Sequence, residues 1–276
     1  MATKSIDPSE TKSIFLSAEA AEKWRGQKAQ RDQVLGVPTE KMLDLANLCD
    51  GNRVLDVAAG TGDQTLMASQ HVGPSGSVLA TDISTTMLNL AAAAARDAGL
   101  SNVETRVMDA ESLDLDTDSF DAVICRLGLM LFSDPLRALR EIRRVLKPGG
   151  KMAALVFSTA QKNPYQGIPL AVVDGLGSLP PPLFALGEAS VLANLFQATG
   201  FVSVAVHAVN VRRQLPSTAQ LIQALNDASF LRGPMAKLHD ADRERAWVEI
   251  ERQMRRFETP HCVDVPGEYL VGVGTK

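Results

Sequence analysis

The feature that most constrains the fold is the segment Val54–Gly62, where an apolar run passes directly into a Gly-x-Gly turn. The apolar run over residues 53–58 predicts a buried strand, and residues 63–70 beyond the turn have a helical pattern. Glycines allow a positive φ and let a ligand approach the backbone closely. A strand, a glycine turn and a helix in this order predict a ligand site at the carboxyl end of a parallel strand.

Strands and helices alternate through most of the remaining chain. Further strands are predicted at 77–82, 103–108, 120–125, 151–157, 202–209 and 268–273, and helices at 85–98, 135–146 and 189–199. This alternation is typical of βαβ units. Runs that are apolar throughout, such as residues 122–125, indicate strands covered on both faces. We therefore expect an α/β fold with a doubly wound, mostly parallel, seven-stranded sheet.

The composition along the chain predicts five regions. They are a disordered tail (1–13), an N-terminal helical lid (14–50), a ligand-binding core (51–209), a helical insertion (210–265) and a final core strand (266–276). In the lid, one helix is expected from Ser17 through Trp24 and a second after Pro38. Apolar residues at helical spacing predict two helices in the insertion, at 217–231 and 240–257. We expect the lid and the insertion to form a cap over the site.

Acidic residues follow the second and third predicted strands. Asp82 stands twenty positions after Gly62, where a carboxylate can accept both hydroxyls of a ribose. Asp109, followed by Ala110, can accept a hydrogen bond from an adenine amino group. Each residue also has a simpler interpretation, Asp82 as a helix cap and Asp109 as a turn former. Together they favour an adenosine-type ligand, which dinucleotide-dependent enzymes share.

Two details argue against a dinucleotide. The dinucleotide fingerprint places Gly or Ala three residues after its second glycine, where this sequence has Thr65. Asp56 lies inside the first strand, and a buried carboxylate is costly unless it has a partner. The expected partners are backbone amides of the turn or an ammonium group on the ligand, such as the amino group of S-adenosylmethionine.

Residues 53–157 resemble the ubiquinone/menaquinone-biosynthesis branch of the class I S-adenosylmethionine-dependent methyltransferases. The matching stretches are Val54–Asp63, Ala80–Ser84 with Met87 and Leu88, Met108–Glu111, Ser119–Val123 and Arg140–Gly150. The resemblance implies the class I methyltransferase (Rossmann-like) fold and S-adenosylmethionine as cofactor. The implied cofactor-binding residues are Asp56, Ala58, Gly60, Thr61, Gly62, Asp82, Ile83, Met87, Asp109, Ala110, Arg126 and Leu127.

Arg126 departs from the family pattern, which often has a small polar residue at its position. Its backbone can still serve the cofactor, and the alternative is an ion pair with Asp134 or Asp121. Residues 158–267 do not resemble the quinone enzymes closely, so the resemblance does not identify the acceptor. No residue is identifiable as a catalytic base, and Tyr165 and Asp134 are pocket candidates by location alone.

The expected function is methyl transfer to a small-molecule acceptor. The cap and the proline-rich stretch 158–187 favour an apolar or ring-bearing acceptor. Alternatives are a macromolecule methyltransferase, a non-methylating catalyst or binding module, and a dehydrogenase. The net charge of −4 argues against nucleic acid as a partner. The three cysteines form no CxxC pair, so no metal site is expected. A cytoplasmic location without a membrane span is also expected, and the oligomeric state stays open.

Overall fold

A seven-stranded sheet forms the centre of the protein in a computed structural model, which describes residues 25–26, 28–178 and 182–276. The order of the strands is β3-β2-β1-β4-β5-β7-β6. They are β1 (Arg53–Val57), β2 (Ser77–Asp82), β3 (Val103–Val107), β4 (Phe120–Arg126), β5 (Leu146–Phe157), β6 (Val202–Leu215) and β7 (Val263–Thr275). Strands β1 to β5 pair in parallel, and β7 runs antiparallel to both β5 and β6. The predicted mostly parallel sheet is confirmed.

Helices cover both sides of this sheet. They are α1 (Lys28–Leu45), α2 (Asp63–Val72), α3 (Thr85–Asp97), α4 (Pro135–Val145), α5 (Pro164–Gly175), α6 (Ala189–Ala198), α7 (Thr218–Asn226), α8 (Ser229–Ala236) and α9 (Asp240–Met254). Helix α4 shows how the sequence specifies one of them. Asp134 caps its first turn by accepting a hydrogen bond from the backbone N–H of Arg137, with Pro135 at the first helical position. Its apolar residues recur at helical spacing and are buried on the sheet.

The strand order reverses direction between β1 and β4. From β1 the chain builds outward through β2 and β3 on one side, and through β4 and β5 on the other. Helices therefore leave the carboxyl ends of β1 and β4 toward opposite faces, and a crevice opens between those ends. The ends of β1 and β4 carry the predicted sequence motifs, so the topology brings these motifs together.

The strands at the antiparallel edge are longer than predicted. Strand β6 continues to Leu215 and β7 begins at Val263, and these two residues pair with each other. The exposure of β6 alternates along its length, because one face is solvated. Such a strand has no continuous apolar run, which explains why its end was placed at residue 209. The helices between the two strands occupy residues 216–262, a shorter insertion than the predicted 210–265.

The helix predicted after Pro38 is present, but its predicted start is wrong. Helix α1 starts at Lys28 and continues through Pro38. Val34 and Leu35 before the proline, and Met42 and Leu43 after it, are buried in the same core. This packing on both sides offsets the hydrogen bond that a proline removes from a helix. The predicted tail and the helix from Ser17 through Trp24 lie outside the described residues.

The insertion contains three helices in the described residues, because the first predicted helix is divided at residues 227–228 into α7 and α8. Helix α9 lies behind them and packs against α5. Among the helices that the structure describes, none combines the length and the apolarity that crossing a bilayer requires.

Candidate functional site

A cavity opens at the carboxyl ends of β1, β2 and β4. Its wall on this side consists of residues that follow these strands and β3, and it includes most of the predicted cofactor residues. These are Ala58, Gly60, Asp82, Ile83, Met87, Asp109, Ala110, Arg126 and Leu127. The other three predicted residues, Asp56, Thr61 and Gly62, are not part of this wall. The structure thus brings the motifs of four strands to one cavity.

The two glycines of the turn have different roles. Both have positive φ angles, 57° at Gly60 and 86° at Gly62, as predicted for this turn. Gly60 lines the cavity, and its N–H donates a hydrogen bond of 2.9 Å to the Asp82 carboxylate. At Gly62 a Cβ atom would lie 2.8 Å from the Cβ of Ala91 on α3. Gly62 therefore allows α2 and α3 to pack closely, and Gly60 forms the ligand-facing surface.

Asp82 is held by backbone amides on both of its oxygens. Oδ2 accepts from Gly60 and Oδ1 accepts from the N–H of Ser84, each at 2.9 Å. Burial raises the pKa of Asp82, and these backbone hydrogen bonds oppose that shift. A carboxylate has about four lone-pair positions, so acceptor capacity is left for a ligand. Helix α3 is capped by Ser84, whose hydroxyl accepts a hydrogen bond from the Met87 N–H. The interpretation of Asp82 as the helix cap is therefore not needed.

The buried carboxylate of Asp56 has partners that the sequence analysis did not anticipate. Its oxygens accept from the Thr65 hydroxyl at 2.5 Å and from the Gln64 amide nitrogen at 3.1 Å. The protein partners of Asp56 are therefore two side chains of α2 and not the backbone amides of the turn. Thr65 is the residue that departs from the dinucleotide fingerprint. Burial raises the pKa of Asp56 to about 7, with the two hydrogen bonds opposing it.

Gln64 is a site residue that the sequence analysis missed. Its nitrogen donates to both Asp56 and the carbonyl of Ala59, which fixes the orientation of the amide. Its oxygen, Oε1, is buried without a hydrogen-bond partner, and Gln64 lines the cavity. A buried acceptor without a donor is costly in a folded protein. The cavity therefore presents an acceptor at which a ligand N–H fits.

Asp109 lies two residues beyond the end of β3, on a short turn. Its Oδ1 accepts a hydrogen bond of 2.9 Å from the N–H of Glu111. This bond is the turn-forming role that was the simpler interpretation of the residue. Asp109 and Ala110 both line the cavity on the side of Ile83 and Met87, so a role toward a ligand is also geometrically open.

The Arg126 side chain points away from both of its predicted ion-pair partners. Its guanidinium donates to Asp63 at 3.1 Å and to the Thr39 hydroxyl at 3.3 Å. Arg31 of α1 donates to the same Asp63 oxygen at 2.8 Å. Burial alone would raise the pKa of Asp63, but the two guanidiniums outweigh burial and lower it. The predicted pairs with Asp134 and Asp121 are wrong, because Asp134 caps α4 and Asp121 pairs with Lys147.

The backbone is strained where β1 and β4 end. Ala58 has a φ of 57° and Leu127 a φ of 59°, and both residues line the cavity. The left-handed conformation costs a non-glycine residue roughly 1–2 kcal/mol. A Cβ atom on Gly128 would lie 2.5 Å from the Cβ of Ala58, so the two strand ends approach each other closely. Strain of this kind concentrates at functional sites.

The far side of the cavity is aromatic and comes from the second half of the chain. Phe157 of β5 lies 5.2 Å from Tyr269 of β7, and Tyr165 of α5 lies 6.2 Å from Phe230 of α8, measured between ring centroids. Further residues of this wall, which we call the acceptor wall, are Leu183, Arg213, Ala224, Ala228 and Ser229. Tyr165 was a candidate by location, whereas no sequence pattern indicated Arg213, Phe230 or Tyr269.

The family of the chain follows from comparison with known proteins. A model of the ubiE/COQ5 methyltransferase family matches residues 36–173, which is half of the chain. The chain belongs to the ubiE/COQ5 methyltransferase family. This assignment confirms the predicted family. The match ends before most of the acceptor wall, so the residues of that wall after Gly175 are outside the part that identifies the family.

Curated members of this family align with less than their full length. The ubiquinone/menaquinone biosynthesis C-methyltransferase UbiE of Pseudomonas aeruginosa strain LESB58 is 41% identical over 122 residues, covering 44% of this chain and 48% of that protein. The enzyme of the same description from Pasteurella multocida strain Pm70 is 40% identical over 127 residues, covering 46% and 47%. The chain spans about half the length of the curated relatives it matches.

Solved structures share the fold over more of the chain. The YcgJ protein of Bacillus subtilis has a TM-score of 0.61 at 20% identity, covering 86% of this chain and 97% of that one. An S-adenosylmethionine-dependent methyltransferase from Aquifex aeolicus has a TM-score of 0.52 at 24% identity, covering 75% and 93%. The cyclase SpnF has a TM-score of 0.53 at 24% identity, covering 86% and 79%. With the strand order, these likenesses confirm the predicted class I methyltransferase fold.

Proposed function

We propose that this chain is an S-adenosylmethionine-dependent methyltransferase that acts on a small-molecule acceptor. One observation carries the proposal: a single cavity joins the predicted cofactor residues at the ends of β1 to β4 with the aromatic acceptor wall. Membership of the ubiE/COQ5 methyltransferase family supports the reaction class. The nature of the methyl acceptor is proposed from the structure and not from the family, because most of the acceptor wall lies beyond the residues that match the family model.

The residues present fit S-adenosylmethionine. The orphaned Oε1 of Gln64 is an acceptor for the amino group of the methionine half. The remaining lone pairs of Asp82 suit the two ribose hydroxyls, which are donors. Asp109 and Ala110 lie beyond Asp82 on the side of β3, which suits the adenine. Gln64, Asp82 and Asp109 would thus hold the amino group, the ribose and the adenine of the cofactor.

The contribution of the chain to the reaction is positioning. When bound, S-adenosylmethionine supplies a methyl group already activated on a sulfonium. Orienting two reactants for direct displacement lowers a barrier by about 7–11 kcal/mol. The strained ends of β1 and β4 fix the backbone on one side of the cavity, and Ala224, Ala228 and Phe230 close it on the other. We propose that α7 and α8 thereby act as the predicted cap and exclude water.

The acceptor wall contains no evident general base. No histidine lines the cavity among the described residues. Burial raises the pKa of Tyr165, and it raises that of Tyr269 to about 12, so both phenols stay protonated at neutral pH. They can donate hydrogen bonds to an acceptor molecule but cannot take its proton. The proposed reaction therefore uses an acceptor atom that is already nucleophilic, and we assign no catalytic base.

Calorimetry with S-adenosylhomocysteine and with NAD tests the cofactor. We expect S-adenosylhomocysteine to bind and NAD to fail, because Thr65 occupies the position of a fingerprint glycine. Binding of NAD alone would support a dehydrogenase and contradict the proposal. A non-methylating role predicts that bound S-adenosylmethionine is recovered unchanged with every acceptor. The cytoplasmic location and the exclusion of nucleic acid stay predictions.

The role of Gln64 is tested by the Gln64→Met variant. Loss of its amide removes the acceptor for the ligand amino group, and hydrogen bonds to charged groups contribute about 1.5–3 kcal/mol. We expect S-adenosylhomocysteine to bind about tenfold or more weakly. Gln70→Met, on the exposed side of the same helix, is the matched control and should bind like the wild type. Equal affinities of the two variants would remove Gln64 from the site.

A further inference from the structure

Arg213 stands out in the acceptor wall because its charge is not neutralised. In the ranges that the structure describes, no carboxylate forms an ion pair with it. Its recorded contact is with Tyr165, whose ring centroid lies 4.1 Å from the guanidinium carbon. An arginine stacked on a ring still presents N–H groups along the edge of its plane. Arg213 therefore has N–H groups at an apolar cavity that require a hydrogen-bond acceptor.

Comparison with the neighbouring Arg212 shows that only the arginine on the cavity face of β6 lacks an acidic partner. Arg212 is exposed and donates to both carboxylate oxygens of Asp264, at 2.8 and 2.7 Å. Successive side chains of a strand point to opposite faces. Strand β6 thus carries two consecutive arginines, one with an acidic partner on the outer face and one, Arg213, directed to the cavity without such a partner.

Two phenols add donors beside Arg213. Tyr165 is 7% exposed and Tyr269 is 3% exposed, and both line the cavity. Within the described residues neither phenol oxygen has a hydrogen-bond partner. Burial keeps both protonated, and the positive charge of Arg213 acts on both of them. The cavity lining at this end therefore combines a cation and two neutral O–H donors, while Asp82 and Asp109 of the lining lie at the cofactor end. The charge of Asp227 also acts on Tyr165, but Asp227 does not line the cavity.

We infer that the methyl acceptor is a ring-bearing carboxylic acid whose carboxylate binds Arg213, beside the hydroxyls of Tyr165 and Tyr269. This inference rests on the proposed methyltransferase function. A guanidinium binds a carboxylate through two parallel N–H bonds, which also fixes the orientation of the acid. Phe157, Leu183 and Phe230 surround the apolar part of the acceptor. Arg31 and Arg126 also line the cavity but share Asp63, so Arg213 is the guanidinium left for the acceptor. Its one charge matches the single charge of a carboxylate better than the double charge of a phosphate.

Calorimetry of the protein loaded with S-adenosylhomocysteine tests the inference with three probes: naphthoate, naphthamide and naphthyl phosphate. Naphthoate should bind at least about tenfold more tightly than the neutral amide, as expected for charge-assisted hydrogen bonds. It should also bind more tightly than the phosphate. Equal binding of acid and amide, binding of neither up to their solubility limits, or preference for the phosphate would overturn the assignment.

Variants of Arg213 test whether this residue causes the preference for the acid over the amide. Arg213→Met should abolish the preference for the acid, and Arg213→Lys should retain part of it. Arg212→Met removes the exposed neighbour and should leave the preference unchanged. A preference that survives in Arg213→Met overturns the inference. Thermal unfolding and S-adenosylhomocysteine affinity of each variant confirm that fold and cofactor site persist. If the wild type binds no S-adenosylhomocysteine, the proposed function fails; if it binds this compound without preferring the acid, the carboxylate inference alone fails.

Discussion

Replacing Gly62 by alanine tests the physical reason for the second glycine of the turn. The backbone there has a φ of 86°, which costs an alanine roughly 1–2 kcal/mol. The new Cβ would also lie 2.8 Å from the Cβ and 3.1 Å from the Cα of Ala91. Overpacking of this kind costs typically about 1–3 kcal/mol. The two effects together predict a loss of about 2–5 kcal/mol in the free energy of unfolding.

Gly99→Ala is the matched control, because it separates the two effects. Gly99 has a φ of 70°, and no atom lies within 4 Å of a Cβ built on it. We expect this variant to lose only the conformational part, roughly 1–2 kcal/mol. Urea denaturation followed by circular dichroism measures both variants. If Gly62→Ala is no less stable than Gly99→Ala, crowding against α3 does not explain the glycine and the packing argument is refuted.

Three further substitutions test the buried carboxylates, and a fourth, at the more exposed Asp121, serves as a control. Folding raises the pKa of Asp56 from 3.8 to about 7, so the folded state favours the protonated acid and the wild type should lose stability as the pH rises from about 4 to about 7. The expected loss in the free energy of unfolding is up to about 4 kcal/mol, at roughly 1.4 kcal/mol per pKa unit. Denaturation curves measured across this pH range should show no such loss for Asp56→Asn. Asp63→Ala should cost about 3–5 kcal/mol of unfolding free energy, because it removes the shared carboxylate from two buried arginines, whereas Asp121→Ala, at a half-exposed pair, should cost about 1 kcal/mol or less. Asp82→Ala should weaken S-adenosylhomocysteine binding at least about tenfold in calorimetry. It should also lower the melting temperature, because the amides of Gly60 and Ser84 lose their acceptor. Unchanged affinity would leave Asp82 a purely structural residue.

Most of the parallel part of the sheet could be predicted because β1, β2, β4 and β5 are largely buried, whereas β3 is an exposed edge strand. Each of the four buried strands contains a short apolar run, and β2 was placed with its observed bounds, Ser77–Asp82. The antiparallel edge gave a weaker signal, since β6 is solvated on one face and its last residues alternate. Helix α1 contradicted the local rule for proline because tertiary packing on both sides of Pro38 stabilises it.

The cofactor side of the site could be predicted because its residues cluster at strand ends within one stretch of sequence. Their partners could not be predicted in the same way. Arg126 pairs with Asp63, which lies 63 positions earlier in the chain, and no sequence spacing indicates that contact. The acidic residue inside β1 was a clue to Gln64 and Thr65, since a buried carboxylate requires nearby donors. Tyr269 reaches the cavity through the pairing of β7 with β5, and Arg213 through the pairing of β6 with β7.

A crystal structure of the complex with S-adenosylhomocysteine would show whether the cavity is the cofactor site. We expect the ligand to lie across the ends of β1, β2 and β4, with its ribose hydroxyls on Asp82 and its amino group on the oxygen of Gln64. Its sulfur should face the acceptor wall that contains Tyr165 and Arg213. A ligand bound outside this cavity, or with its sulfur directed away from that wall, would contradict the proposed methyl transfer.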